Sequence, residues 1–173
     1  FSEFESVIVL ILKYFKHKYL FSTDKFMDII RAVENFHRIE YKNERIPIER
    51  FNQLTANILE QVNLENEKDR EWLENMLKGN EPSLKDRIKE LIENNKNTFT
   101  TDSNKNLKRL YYNATTSRNY YTHYDKNSKN KALNNKELFE LTSKLLGLLI
   151  SSILKKLEIE SKHYENQLKY LLN

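Results

Sequence analysis

The sequence predicts an all-α fold, and three observations carry that expectation. Its 173 residues include only two Gly and two Pro, too few for the many tight turns of an all-β protein. Apolar residues recur every three or four positions through most of the chain, the spacing of one helical face. The interruptions are short, and no internal repeat or composition break divides the chain. A single helical domain over residues 1–173 is therefore expected, long enough to bury a sizeable core.

Each element follows from its own residues. A first helix is expected from about Ser2 to Leu20, on Phe4, Val7, Ile8, Ile11, Leu12 and Phe15. The second opens at Ser22 or Thr23 with Asp24 in its first turn, where a carboxylate suits the helix dipole. Phe26, Ile29, Ile30, Val33, Phe36 and His37 form its inner face, and it ends near Tyr41. Pro47 suits a helix start, and Phe51, Leu54, Ile58 and Leu59 continue from it. Glu67 to Leu77 carries Trp72, Leu73, Met76 and Leu77, with Gly79 expected as its C-terminal cap. Ser83 with Asp86 resembles a capping arrangement ahead of Leu84, Ile88, Leu91 and Ile92. Asn94 to Ser103 reads as a loop, and a helix begins near Asn104 with Leu107, Leu110, Tyr111 and Ala114, running toward Arg118 and Tyr121. Asp125 to Asn130 is a second loop. Asn135 to Leu157 is apolar around more than half its circumference, the mark of a central helix or of one facing a second subunit. Gly147 and Ser151, four apart, would let another backbone approach closely there. A last amphipathic helix is expected over Glu160 to Leu172, on Tyr164, Leu168 and Leu171.

Composition also removes whole classes of function. Two glycines cannot build a Walker loop or a dinucleotide fingerprint. The absence of Cys excludes disulfide frameworks and thiolate metal sites, and it fits a reducing, cytoplasmic setting. The longest apolar run, Val7 to Leu12, is far short of the roughly 20 residues of a membrane span. The four histidines are scattered, none with a second at ligand spacing, so neither a metal nor another cofactor is indicated. His17 and His163 read as surface residues. Carboxylate pairs such as Glu71 and Glu74 read as solvated helix faces. The first residue is Phe1, so the chain is expected to be a fragment or trimmed.

Charge is more informative. Between Ser103 and Lys136 stand eight basic residues and one acid, Asp125, while the rest of the chain is net acidic. The same stretch holds five of the ten tyrosines, Tyr111, Tyr112, Tyr120, Tyr121 and Tyr124. Basic residues interleaved with aromatics suit phosphate neutralisation and base stacking. Lys108, Arg109, Lys126, Lys129, Lys131, Tyr120, Tyr121 and Tyr124 are accordingly the candidate RNA-binding residues. A solvated basic loop beside core tyrosines is the plainer reading.

Within this stretch lies Arg118-Asn119-Tyr120-Tyr121-Thr122-His123-Tyr124-Asp125. His titrates near neutrality and can move a proton, and Arg supplies a fixed planar cation for a charged phosphorane. On one helix, residues five apart differ by about 140°, so Arg118 and His123 would not share a face. Asn119 and His123, four apart, would. Asn119 could then hold the imidazole while Arg118 reaches in from the side; alternatively the helix ends inside the motif, or a second subunit completes the site. A second pair, Arg31 and His37, has similar spacing. It lies in an acidic region, with Glu34 three residues before His37, and reads as a structural ion-pair and hydrogen-bond cluster.

At these residues the chain resembles the HEPN domains (higher eukaryotes and prokaryotes nucleotide-binding), specifically the ApeA-like subgroup. The resemblance rests on Arg118 to Asp125, the leucine-rich Leu138 to Leu149, and Leu154-Lys155-Lys156-Leu157. Ala32 to Arg38 and Asn80 to Arg87 add to it, so that it spans about Phe26 to Leu157. It implies an all-α bundle of the HEPN type, here with additional N-terminal helices, that forms homodimers with two Arg-x4-His motifs at a shared cleft. It also implies a metal-independent endoribonuclease of prokaryotic anti-phage or toxin-like systems. Arg118 would stabilise phosphate charge, Asn119 would orient, and His123 would act as general base or acid, leaving a 2′,3′-cyclic phosphate and a 5′-hydroxyl. An upstream domain or regulatory partner is expected with such proteins. The competing expectation is a non-catalytic module for dimerisation or for sensing a nucleotide or RNA.

Overall fold

The computed structural model describes residues 2–16, 21–96, 104–124, 126, 129–164 and 166–168, and among them there is no strand. A short 3-10 turn, Ser2–Phe4, leads into α1 (Glu5–Lys16). There follow α2 (Ser22–Glu40), α3 (Ile48–Gln61), α4 (Glu67–Met76), α5 (Leu84–Asn94), α6 (Asn104–His123) and α7 (Asn135–Lys156). The chain forms two compact units. One comprises Phe1–Tyr41 with Leu84–Asn173, and the other is Lys42–Ser83.

In the larger unit the helices pack around one apolar core. Phe4 meets Phe36 while Lys13 reaches Asp28, so α1 runs antiparallel to α2. The core is the inner face that the periodicity marks: Phe26, Ile29, Ile30, Val33 and Phe36 from α2, with Ile88 and Leu91 from α5. From α6 come Leu110 and Ala114, and from α7 Leu138, Leu145, Leu146, Leu148 and Leu149. Each fully buried Leu, Ile or Phe contributes about 1.5–3 kcal/mol. α7 is the central helix, buried around most of its circumference. It begins where it does because of a capping box: Asn134 accepts from the Glu137 amide at 3.2 Å, and the Glu137 carboxylate accepts from the Asn134 amide at 3.2 Å.

Polar groups in this core are paired, as burial demands. Asn95 donates to the Leu91 carbonyl at 2.8 Å and to Ser152 Oγ at 2.9 Å, and accepts from Ser151 Oγ at 3.1 Å. Gly147 and Ser151 are both buried, and Ser151 spends its hydroxyl on Asn95. The smaller unit carries α3 and α4, neither of which buries a side chain. Asn80 holds its ends, accepting from the Ile46 amide at 3.2 Å and donating to the Ile46 carbonyl at 2.8 Å.

Several expectations are corrected here. Gly79 does not cap α4 through a left-handed conformation: no glycine among the described residues has positive φ, and α4 closes through the Leu77 amide on the Leu73 carbonyl at 3.0 Å. The loop expected over 125–130 is partly structured, since Lys129–Lys131 forms a 3-10 turn; Asp125 lies outside the described residues. The region beyond Glu160 opens as a 3-10 turn, Ser161–His163, and then buries Tyr164 and Leu168. The expected end of the first helix, Leu20, and both His17 and Leu171 also lie outside the described residues. Among the described residues no helix is long and apolar enough to cross a membrane.

Candidate functional site

The site is built on α6, a 20-residue helix carrying four Lys or Arg and no Asp or Glu. At about 100° per residue, Leu110, Ala114 and Ser117 define its inner face. The opposite line of the helix carries Lys108, Tyr112, Asn119 and His123, all exposed and within about 60° of one another. Asn119 therefore lies one turn from His123 on the outermost line of the bundle. The helix stops just past it: Tyr124 adopts φ 49°, a left-handed turn that no helix can propagate, while its amide still bonds the Tyr120 carbonyl.

Arg118 lies on the flank of α6, turned toward α2. Its Nη2 is 3.7 Å from Glu34 Oε1, and its Nη1 donates to Asn119 Oδ1 at 3.5 Å. Within one chain, then, the helix places Asn119 and His123 on a common face and gives Arg118 a carboxylate partner off that face. Glu34 was expected to join His37 in an ion-pair and hydrogen-bond cluster along its own helix. It pairs instead with Arg118, 84 residues away in sequence, because α6 packs against α2.

The tyrosines divide by burial. Tyr121 is a packing residue: its hydroxyl donates to the Leu133 carbonyl at 2.8 Å, its ring edge meets Phe26 at 6.4 Å, and burial raises its pKa above the ordinary phenol value. Its ring edge and hydroxyl are thus both engaged within the fold. Tyr120 is half-buried and Tyr124 is 67% exposed, their rings 5.6 Å apart and tilted edge to face. Lys108 and Arg109 are exposed toward the beginning of α6, about 20 Å from His123 along the axis. Arg109 also lines a cleft of about 300 Å³ with Asn113, Glu137, Glu140 and Lys144. Lys126, Lys129 and Lys131 are exposed on the link between α6 and α7.

The second Arg–His pair is structural. Arg31 is on the surface beside Asp28, whereas His37 is fully buried. His37 Nε2 lies 2.8 Å from Glu90 Oε2, Nδ1 lies 3.0 Å from Arg87 Nη1, and the ring stacks on Tyr41 at 4.7 Å. An arginine can only donate, so Nδ1 is the acceptor and the proton sits on Nε2, which donates to Glu90. Burial lowers the His37 pKa; the Glu90 hydrogen bond opposes that shift and the Arg87 charge adds to it. The sequence marked this cluster as ionic but missed Arg87 and Glu90, which no local spacing connects to His37. Tyr112 was also missed as a member of the line that ends at His123, about 16 Å before it along the axis, although the 3.6-residue period places both on one face. Among the described residues no group of three His, Asp or Glu side chains gathers as metal ligands would.

A family model described as Apea-like HEPN matches residues 27–163 of this chain. No curated protein and no solved structure gives a match.

Proposed function

Because the chain belongs to the ApeA-like HEPN family, we propose that it is a metal-independent endoribonuclease of a prokaryotic anti-phage or toxin-like system. The observation that carries the reading is the placement of His123, exposed on the outermost line of an acid-free helix with Asn119 one turn away. The imidazole takes the proton from a ribose 2′-hydroxyl, and the freed oxygen attacks the adjacent phosphorus. The bond from phosphorus to the 5′-oxygen breaks, that oxygen takes up a proton, and the products are a 2′,3′-cyclic phosphate and a 5′-hydroxyl. Asn119 orients the imidazole and Arg118 neutralises charge on the phosphorane. Because Arg118 and His123 leave α6 in different directions, a homodimer in which each chain's Arg118 serves its partner's histidine meets the geometric requirement. Lys126, Lys129 and Lys131 supply the phosphate contacts that hold the RNA, and an upstream domain or regulatory partner supplies the trigger.

One observation favours a second reading. Arg118 is already paired with Glu34, as it would be in a non-catalytic module that dimerises or senses RNA. Cleavage of total RNA in EDTA decides between them. The nuclease reading expects cyclic-phosphate ends from the wild-type protein and at least a hundredfold loss of rate in His123→Ala and Arg118→Ala. Cleavage that continues unchanged in both variants refutes the site. RNA binding or dimerisation without any cleavage supports the second reading.

A further inference from the structure

We propose that the outward face of α6 is a track for single-stranded RNA, with Tyr112 as its stacking platform and Lys108 as its phosphate anchor. The proposal rests on the nuclease reading only for the end of the track at His123; its binding part stands on the helix surface itself.

The register comes first. Lys108, Tyr112, Asn119 and His123 fall on one line directly opposite the buried Leu110, Ala114 and Ser117, and among the described residues all four are exposed. Along the axis this line is about 22 Å long, enough for several nucleotides. The chemistry of the line comes second. Tyr112 is 55% exposed, and among the described residues no aromatic ring or hydrogen-bonding group holds it. Tyr121, two and a half turns on, has a different character: its hydroxyl and ring edge are both engaged in packing. A large exposed tyrosine with no packing role, on a helix without a single carboxylate, has the surface a nucleobase needs on one side and the charge its phosphate needs on the other. Stacking on a side chain requires a base that is free of its neighbours, which selects single-stranded RNA over duplex. Lys108 stands one turn before Tyr112 on the same line, and Arg109 flanks it.

The experiment measures fluorescence anisotropy of a labelled oligouridylate, and of an RNA duplex of the same length, on a His123→Ala background so that the probe survives. The track expects tighter binding of the single strand. Tyr112→Ala weakens it about tenfold and Tyr112→Phe leaves it within about twofold, because the stack needs the ring and not the hydroxyl. Lys108→Ala lowers the slope of log affinity against log salt by about one. The proposal is overturned if Tyr112→Ala binds as tightly as its parent, if Tyr112→Phe is equally damaging, or if the parent binds neither RNA. It is also overturned if Tyr112→Ala changes only the mass in light scattering, which would make the face a contact between copies. Failure of the nuclease reading shows separately: full cleavage by His123→Ala in otherwise wild-type protein removes the catalytic assignment and leaves the binding result to judge the track.

Discussion

Two Arg–His pairs of similar spacing occur in this chain, and their substitutions should separate stability from activity. In His37→Ala the loss is structural. The fully buried imidazole accepts from Arg87 at 3.0 Å, and removing the acceptor from a buried guanidinium costs about 1–3 kcal/mol. Losing the ring stacked at 4.7 Å on Tyr41 costs about 0.5–1.5 kcal/mol more. The vacated volume adds about 1 kcal/mol, since the helices around it close only in part. Glu90 is about half exposed and regains water, so its lost bond counts for little. The total is about 4 kcal/mol, or a fall in Tm of about 8–16 °C for a chain of this size. His123→Ala, on the open face of α6, should stay within about 0.5 kcal/mol of wild type while losing cleavage. Urea unfolding followed by circular dichroism reads the first quantity, and a cleavage assay on the same preparations reads the second. A His37→Ala protein within about 1 kcal/mol of wild type would refute the accounting for the buried cluster. A His123→Ala protein as unstable as His37→Ala would refute its placement on an open face.

Two further predictions concern charge. Folded His37 has a lowered pKa, so above the usual value of 6.5 both folded and unfolded chains hold it neutral, and its effect on stability is constant. As pH falls below 6.5 the unfolded chain binds the proton first and stability drops, down to the folded pKa. Urea midpoints between about pH 7 and pH 5 should therefore slope more steeply for wild type than for His37→Gln; equal slopes would contradict the sign. Glu34→Gln takes a negative charge from 3.7 Å beside Arg118 and should tighten RNA binding a few-fold at low salt. Anisotropy on the His123→Ala background checks it, and weaker binding would show that Glu34 holds Arg118 in a useful pose.

The helices were legible because their apolar residues repeat at three and four, and that period survives any tertiary arrangement. α2, α6 and α7 begin within a residue or so of where Ser22, Asn104 and Asn135 indicate. His123 and Asn119 were legible as a shared face for the same reason. Contacts between helices carry no such local mark. His37 could be recognised as part of an ionic cluster, but Glu34, an acid three residues away in sequence, drew attention from Arg87 and Glu90, which arrive from α5. Tyr120 and Tyr121 are adjacent in sequence, yet only Tyr121 reaches Leu133 and Phe26, a distinction that depends on where α7 and α2 stand. The compactness of Lys42–Ser83 as a separate unit left no trace in composition, since its helices alternate apolar and charged residues as the others do.

The polar contacts along α2 and α5 also fix a direction. His37 pairs with Arg87 and Glu90, and Tyr41, one turn later, accepts from Asn94, one turn later again. The two helices thus run the same way, and the chain leaving the end of α2 must travel back about 16 Å, the length of α5, before α5 can start. Some five extended residues would span that gap. Lys42–Ser83 supplies several times as much chain, closed upon itself by Asn80. The crossover that the parallel course of α2 and α5 forces is thus where the chain carries a second compact unit, with far more residues than the span itself requires.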